Sequence, residues 1–321
     1  MLNKQTINGK AFEYALLAEF LEKLSLVTKT TIIENDPYHT AKRYFEGFAE
    51  KDQGLFRSYA SSAANFLIDL EPRLAYGIGD NDILTLELVS DTQGQAGDVR
   101  DLLAIRVNQN WRIGISAKNN HKAVKHSRLS HVLDFGDKWL GIPCSEQYFA
   151  NIRPIFQELA ILRKQSGATK TWKSLGNYHD SVYVPVLDAF KEELIRLDRE
   201  NPGIVAMNLV KYLVGQQDFY KVIKSKGHVE IQAYNLYGTL NSAIGKIKPK
   251  FKVERLKLPT RVIEVAYQEN SKSTILVFLN EGWQISFRIH NASSRIESSL
   301  KFDINLISSP HTLFTHKSFV G

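Results

Sequence analysis

The sequence predicts an α/β protein: an α/β core over roughly the first two-thirds, then a basic, β-rich C-terminal region. Three observations carry this. Apolar residues recur at helical spacing over 10–24, 40–48, 55–70, 145–165, 181–200 and 204–214. Shorter runs at 82–89, 101–105 and 113–118 read as strands set among those helices. From 219 onward the pattern changes, with strand candidates at 219–223, 229–236, 261–267, 274–280, 283–288 and 301–306.

Over 10–24, Phe12, Leu16, Leu17, Phe20, Leu21 and Leu24 fall on one side of a helix, and Glu19, Glu22 and Lys23 on the other. Glu13 breaks the division, because it projects into the apolar stripe beside Leu17 and Phe20. A buried unpaired carboxylate is costly, so Glu13 needs a cation, backbone donors or a metal. The helix over 55–70 stops at Glu71-Pro72, because the residue before proline is disfavoured in the helical region. Pro154 marks a kink or break in 145–165, and Asn201-Pro202-Gly203 precedes the helix over 204–214. The expected organisation is a core with flanking helices over 1–215 and a basic, β-rich region over 216–321.

A chain of 321 residues with 43% hydrophobic residues can bury a substantial core. Cys144 is the only cysteine, which excludes an intrachain disulfide and a cysteine-based zinc cluster. No apolar run approaches the ~20 residues of a membrane helix, and the N-terminal residues lack the apolar core of a signal peptide. A soluble, cytoplasmic protein without a membrane partner is expected. The net charge of +7 is unevenly placed. Between Lys221 and Arg261 ten Lys or Arg residues face only Glu230 and Glu254, a local excess of +8. A second run, Lys118, Lys122, Lys125 and Arg128, meets no acid until Asp134. One such run is ordinarily a solvated face. Two of them, one abutting a candidate metal site, favour a polyanion.

That site lies in a predicted hairpin. Asp101 opens the strand Leu102-Leu103-Ala104-Ile105, the polar turn Asn108-Gln109-Asn110 follows, and Ile113-Gly114-Ile115-Ser116-Ala117-Lys118 returns. With a two-residue loop at Asn108-Gln109, Asp101 lies opposite Ser116 and shares a face with Lys118. A three-residue loop brings Asp98 there instead, because a one-residue slip flips every side chain. Asp101 is favoured because it directly precedes the apolar run, with Asp98 as the reserve. A carboxylate anchor, a backbone carbonyl near Ala117 and the amine of Lys118 could bind a magnesium-type ion and activate water against a phosphodiester. An acid and an amine on neighbouring strands are weak evidence by themselves.

An aspartate before a short apolar strand, then a strand ending in lysine, resembles the PD-(D/E)xK nuclease fold. More closely, Asn8-Gly9-Lys10-Ala11-Phe12-Glu13-Tyr14-Ala15, Gly97-Asp98-Val99-Arg100-Asp101, the run from Gly114 to Ser130 and Asp134-Phe135-Gly136-Asp137-Lys138-Trp139 resemble type II restriction endonucleases of the HaeIII kind. The resemblance is dense over 8–150 and implies a mixed-sheet core flanked by helices. By position it implies Asp101 as the metal-binding aspartate, Lys118 as the active-site lysine and Glu13 as an assisting helix carboxylate. Ser116 departs from the pattern, standing where a second acidic ligand belongs; Glu13 is the first candidate to replace that charge and Glu87 the second. The resemblance also implies Mg2+, double-strand cleavage of GGCC, and a protective cytosine methyltransferase as partner. A palindromic target suits a homodimer.

Candidate DNA contacts are Ser116, Asn119, Asn120, His121, Lys122, Lys125, His126 and Arg128, the last four on an expected loop or helix. For each histidine a surface or capping role competes with catalysis. Two other readings stay open: a DNA-binding protein that keeps the scaffold without cleaving, and a repair or mobile-element nuclease with little sequence preference.

Overall fold

The computed structural model describes residues 4–79, 81–90, 99–119, 125–165 and 170–320. The chain forms two compact units, and each is discontinuous in sequence. The first comprises Met1–His121, Gly215–Lys257 and His311–Gly321, and the second Lys122–Val214 and Leu258–Pro310. The single cut expected at 215 is therefore replaced by an interleaved division. Its cause is strand pairing between distant segments.

The first unit is built on a seven-stranded sheet of order β1-β2-β3-β4-β6-β7-β12. The strands are β1 Thr30–Ile33, β2 Leu84–Leu88, β3 Leu102–Arg106, β4 Trp111–Asn119, β6 Phe219–Ser225, β7 His228–Tyr234 and β12 Phe314–Phe319. β1 runs parallel to β2 and β4 parallel to β6, while the other neighbours are antiparallel, so the sheet is mixed. The basic segment after 219 thus supplies a central strand and its neighbour. One face of this sheet carries Leu84, Leu86, Leu102, Ala104, Ile113, Ile115, Tyr220, Val222 and Ile231 into a core shared with three helices. These are α1 Lys4–Leu24, α2 Asp36–Glu46 and α3 Glu50–Leu70. Helix α1 gives Phe12, Leu16 and Phe20 to that core, the stripe expected from the sequence. The Asn35 side chain caps α2 by accepting from the Tyr38 amide at 3.0 Å, which moves its start upstream of the expected residue 40. After α3, Pro72–Ala75 makes one further turn, α4.

The second unit carries a five-stranded antiparallel sheet of order β5-β11-β10-β9-β8. Its strands are β5 Lys125–Leu129, β8 Val262–Tyr267, β9 Thr274–Leu279, β10 Gln284–His290 and β11 Leu300–Ser308. Helices α5 Glu146–Gln165, α6 Val184–Glu200 and α7 Val205–Val214 complete it. Pro154 lies inside α5 without ending it. Phe190 of α6 meets Phe287 and Phe302 of the sheet, with ring centroids 5.5 and 5.1 Å apart. The segment after Lys118, expected to be a loop or helix, is corrected over 125–129. There it is strand β5, with Ser127 and Leu129 buried and His126 and Arg128 exposed, paired to β11 about 175 positions later (Arg128 opposite Lys301).

Candidate active site

Strand β3 pairs with β4 so that Leu102 faces Ile115 and Arg106 faces Trp111. The connection, Val107 to Asn110, is longer than the expected two residues but still even in number. Parity is therefore kept, and Asn110 supplies the left-handed residue (φ 46°) that closes the turn. Asp101 consequently falls opposite Ser116, its amide donating to the Ile115 carbonyl at 2.9 Å. Gly114, two residues before Ser116 on the same face, is required by a close approach. A Cβ there would lie 1.9 Å from Arg100 Cδ, the side chain next to Asp101.

Three donors converge on Asp101 Oδ2: the Ala117 amide at 2.7 Å, the Lys118 ammonium at 3.0 Å and the Ser116 hydroxyl at 3.1 Å. Asp101 and Lys118 remain partly solvent-accessible, whereas Ser116 is 1% exposed. Ser116, expected to touch DNA, is instead buried and spends its hydroxyl on orienting Asp101. That role explains how serine serves where an acid was anticipated: it holds the remaining carboxylate and does not replace the missing one.

Glu13 occupies the buried stripe of α1 and accepts from Lys10 at 3.0 Å, one turn earlier. Burial pushes its carboxyl up to about 8, and the nearby Asp101 carboxylate adds to the rise against the opposing pull of Lys10 and Lys118. Glu13, Asp101 and Lys118 therefore form one electrostatic group. Among the described residues, Asp101 Oδ1 and Glu13 Oε1 accept no hydrogen bond. Two carboxylates of one electrostatic group, each with an oxygen that accepts no hydrogen bond, suit a hard cation. No group of three or more His, Cys, Asp or Glu able to hold a metal occurs among the described residues. Glu87, the second candidate for the missing charge, accepts from Asn35 at 3.5 Å instead. Asp98 lies outside the described residues.

The raised Glu13 value gives a sign for pH dependence. From its ordinary 4.5 to about 8 the folded chain keeps a proton that the unfolded chain has lost. Stability from this group is therefore full below 4.5 and is lost as pH rises to about 8. Metal-free protein should lose more thermal stability between pH 5 and 8 than Glu13→Gln does, in melts recorded with a chelator. Parallel pH profiles for the two proteins would remove Glu13 from the group.

Sequence reasoning missed Lys221. It stands on β6 opposite Ser116, and strand alternation puts it on the Ser116–Lys118 face, away from the core residues Tyr220 and Val222. It is 7% exposed, and burial, with the neighbouring Lys118 charge, lowers its ammonium to about 8 against the pull of Glu230 and Asp101. In the sequence it was one of ten cations in a run. Only the parallel pairing of β4 with β6 brings it to the site.

The candidate DNA contacts divide by environment. Lys125 donates to the Tyr212 carbonyl at 2.9 Å and lies 3.7 Å from the centre of the Tyr212 ring, so it is a packing residue within the second unit. Burial lowers its ammonium to about 8. Asn119 accepts from Lys224 at 3.2 Å. His126 and Arg128 project from the exposed face of β5, where His126 meets Asp303 at 2.7 Å and Arg128 meets Ser299 at 2.8 Å. Asn120, His121 and Lys122 lie outside the described residues. Of the long basic run, Lys250 pairs with Asp69 at 2.8 Å and Arg255 donates to the Leu236 carbonyl at 3.0 Å. Part of that charge therefore braces the first unit.

The model of the HaeIII restriction endonuclease family matches residues 9–310. The chain belongs to this family. The type II restriction enzyme HaeIII of Haemophilus aegyptius is 40% identical over 315 residues, covering 98% of this chain and 97% of that protein. No solved structure matches the chain. Membership in the HaeIII family makes the chain a type II site-specific deoxyribonuclease, and the mixed sheet with flanking helices is consistent with a restriction-endonuclease-like fold. None of the described helices is long and apolar enough to cross a membrane.

Proposed function

We propose that this chain hydrolyses both strands of double-stranded DNA at GGCC, using Mg2+ held at the Asp101–Glu13–Lys118 group. The observation that carries the reading is the hairpin register, which sets Asp101 on Ser116, Ala117 and Lys118 in the company of a buried helix carboxylate. Asp101 Oδ1, Glu13 Oε1 and the Ala117 carbonyl would hold the ion. Mg2+ commonly uses one or two protein carboxylates, keeps several waters and takes substrate phosphate oxygens, so a site without an acid at 116 suffices. When bound, such an ion activates water and stabilises charge on the phosphoryl oxygens.

Lys118 has a different task. Its ammonium, anchored on Asp101 Oδ2, is placed to orient the attacking water and to offset charge developing at phosphorus. Burial, then the Asp101 charge, keeps a proton on Glu13 near neutral pH, and a bound cation would favour its ionised, ligating form. The target GGCC rests on the family resemblance. A protective cytosine methyltransferase, a two-fold dimer on the palindrome and a cytoplasmic setting belong to the same proposal.

The test is a digest of unmethylated mapped plasmid with Mg2+. Discrete fragments ending at GGCC are expected. A smear would favour a nuclease of little specificity, and DNA retention without cleavage a non-cleaving binder. For the hold on DNA, the exposed sheet face around His126 and Arg128 also carries Arg288, aligned through Asp303. Replacing both Arg128 and Arg288 by alanine should weaken duplex binding and reduce the logarithmic salt slope by about 2. Binding titrations at several salt concentrations, with Ca2+ replacing Mg2+, check this; an unchanged slope would take that face off the DNA.

A further inference from the structure

We infer that Lys221 forms a second phosphate-binding position of the active site, its ammonium contacting a non-bridging oxygen of the scissile phosphodiester beside Lys118. The inference rests on the proposed cleavage at Asp101 and Lys118.

The placement is geometric. Adjacent strands lie about 4.8 Å apart and residues two apart on one strand about 6.6 Å. Lys221, opposite Ser116, is therefore a near neighbour of both Asp101 and Lys118 on one face of the sheet. Its side chain is largely buried, its nitrogen is not among the fully buried atoms that lack a partner, and among the described residues no acceptor takes a hydrogen bond from it. Neither of the two carboxylates that attract it accepts a hydrogen bond from it among the described residues. Glu230 accepts from Gln232 at 2.7 Å and pairs with Lys317 at 3.6 Å. Asp101 Oδ2 already has its three donors.

Burial of its stem and the neighbouring Lys118 both disfavour the Lys221 cation while no anion is present. A purely structural lysine would be expected to have found an acceptor. An anion entering between Lys221 and Lys118 supplies one, and the phosphodiester is the anion this site processes. Ser116 completes the argument. An acid at that position would face Lys221 directly across the parallel ladder and neutralise it, whereas serine leaves the charge for the substrate. The same substitution that removes a metal ligand thus releases a cation. During hydrolysis, negative charge accumulates on the non-bridging oxygens as the bond from water to phosphorus forms and the bond to the leaving oxygen breaks. Lys221 stabilises that charge as a hydrogen-bond donor and transfers no proton.

The experiment compares full-length wild type, Lys221→Met and Asp101→Asn on a duplex containing one GGCC. It measures Tm, Mg2+-dependent kcat and KM, and duplex binding in Ca2+. Lys221→Met should melt at or above the wild-type temperature, because it removes a cation that burial and Lys118 disfavour. Its kcat should fall about 10²- to 10³-fold with KM changed only a few-fold. Cleavage by folded Lys221→Met within threefold of wild type would overturn the inference, as would a loss confined to KM. If Lys221→Met does not fold, Lys221→Gln carries the same comparison under the same criteria. An inactive wild type, or an active Asp101→Asn, would instead overturn the cleavage reading. An active wild type, a dead Asp101→Asn and an active Lys221→Met would overturn the Lys221 assignment alone.

Discussion

Asp101→Asn is expected to lower Mg2+-dependent cleavage by at least about 10³-fold while leaving Tm within a few degrees of wild type. Asparagine keeps the size of the side chain and can still accept from Ser116, Ala117 and Lys118, so the local hairpin survives. It loses the charge. Glu13 is then the sole carboxylate of the group, and the Lys118 and Lys221 ammoniums face a site with one anion fewer. At the proposed site a metal would lose one of its two carboxylate ligands and the one that Ser116, Ala117 and Lys118 hold in place. Cleavage rates read against thermal melts separate this from unfolding. An Asp101→Asn protein that still cuts would place the anchor elsewhere, with Asp98 the reserve.

The largest effect on stability is expected far from that chemistry, at Arg106→Ala. Arg106 is wholly buried at the turn end of the hairpin. Its guanidinium donates to the carbonyls of Arg73 and Leu74 and to the Thr28 hydroxyl, and it lies 3.6 Å from an Asp82 carboxylate oxygen. One side chain thereby ties β3 to the turn after α3 and to the entry into β1. Truncation leaves the buried Asp82 carboxylate without its cation and the Arg73 and Leu74 carbonyls without this donor, a loss of about 3–5 kcal/mol. For a chain of this size that corresponds to a fall in Tm of roughly 10 °C. Calorimetry or a circular-dichroism melt checks it, and a fall under about 3 °C would mean that water enters to replace the guanidinium. Such a result would leave the active-site assignments untouched.

Several elements were legible because their signals are local. The α1 stripe, the stop at Glu71-Pro72 and the alternation in the C-terminal strands follow from neighbours in sequence. Helix α1 shows the limit of such reading. The carboxylate of Glu13 was visible as a misfit, and a partner could be demanded, but Lys10 and Asp101 were not distinguishable as its company. Strands β1 and β12 were missed because four and six residues with weak patterns carry little information without a paired neighbour. Strand β5 was misread for the same reason. Lys125-His126-Ser127-Arg128 looks polar until β11 covers one of its faces.

The sequence alone narrowed the arrangement to Asp101, with Asp98 in reserve, facing Ser116 and Lys118, and the even-numbered turn of the folded hairpin selects Asp101. A hairpin is a local object: an even-numbered turn keeps parity, and parity decides which side chains share a face. The net charge, the single cysteine and the family resemblance were likewise properties of the chain as written. Tertiary structure decided what surrounds the hairpin. The parallel pairing of β4 with β6 joins residues about a hundred positions apart, and no local pattern specifies which distant strand will close such a ladder. That pairing turned Lys221 from one cation in a basic run into a buried neighbour of the site. It also divided the chain into two interleaved units, where composition suggested a single cut. Local periodicity fixes which way a side chain points. Burial, and with it the cost and use of a charge, depends on partners that only the folded chain supplies.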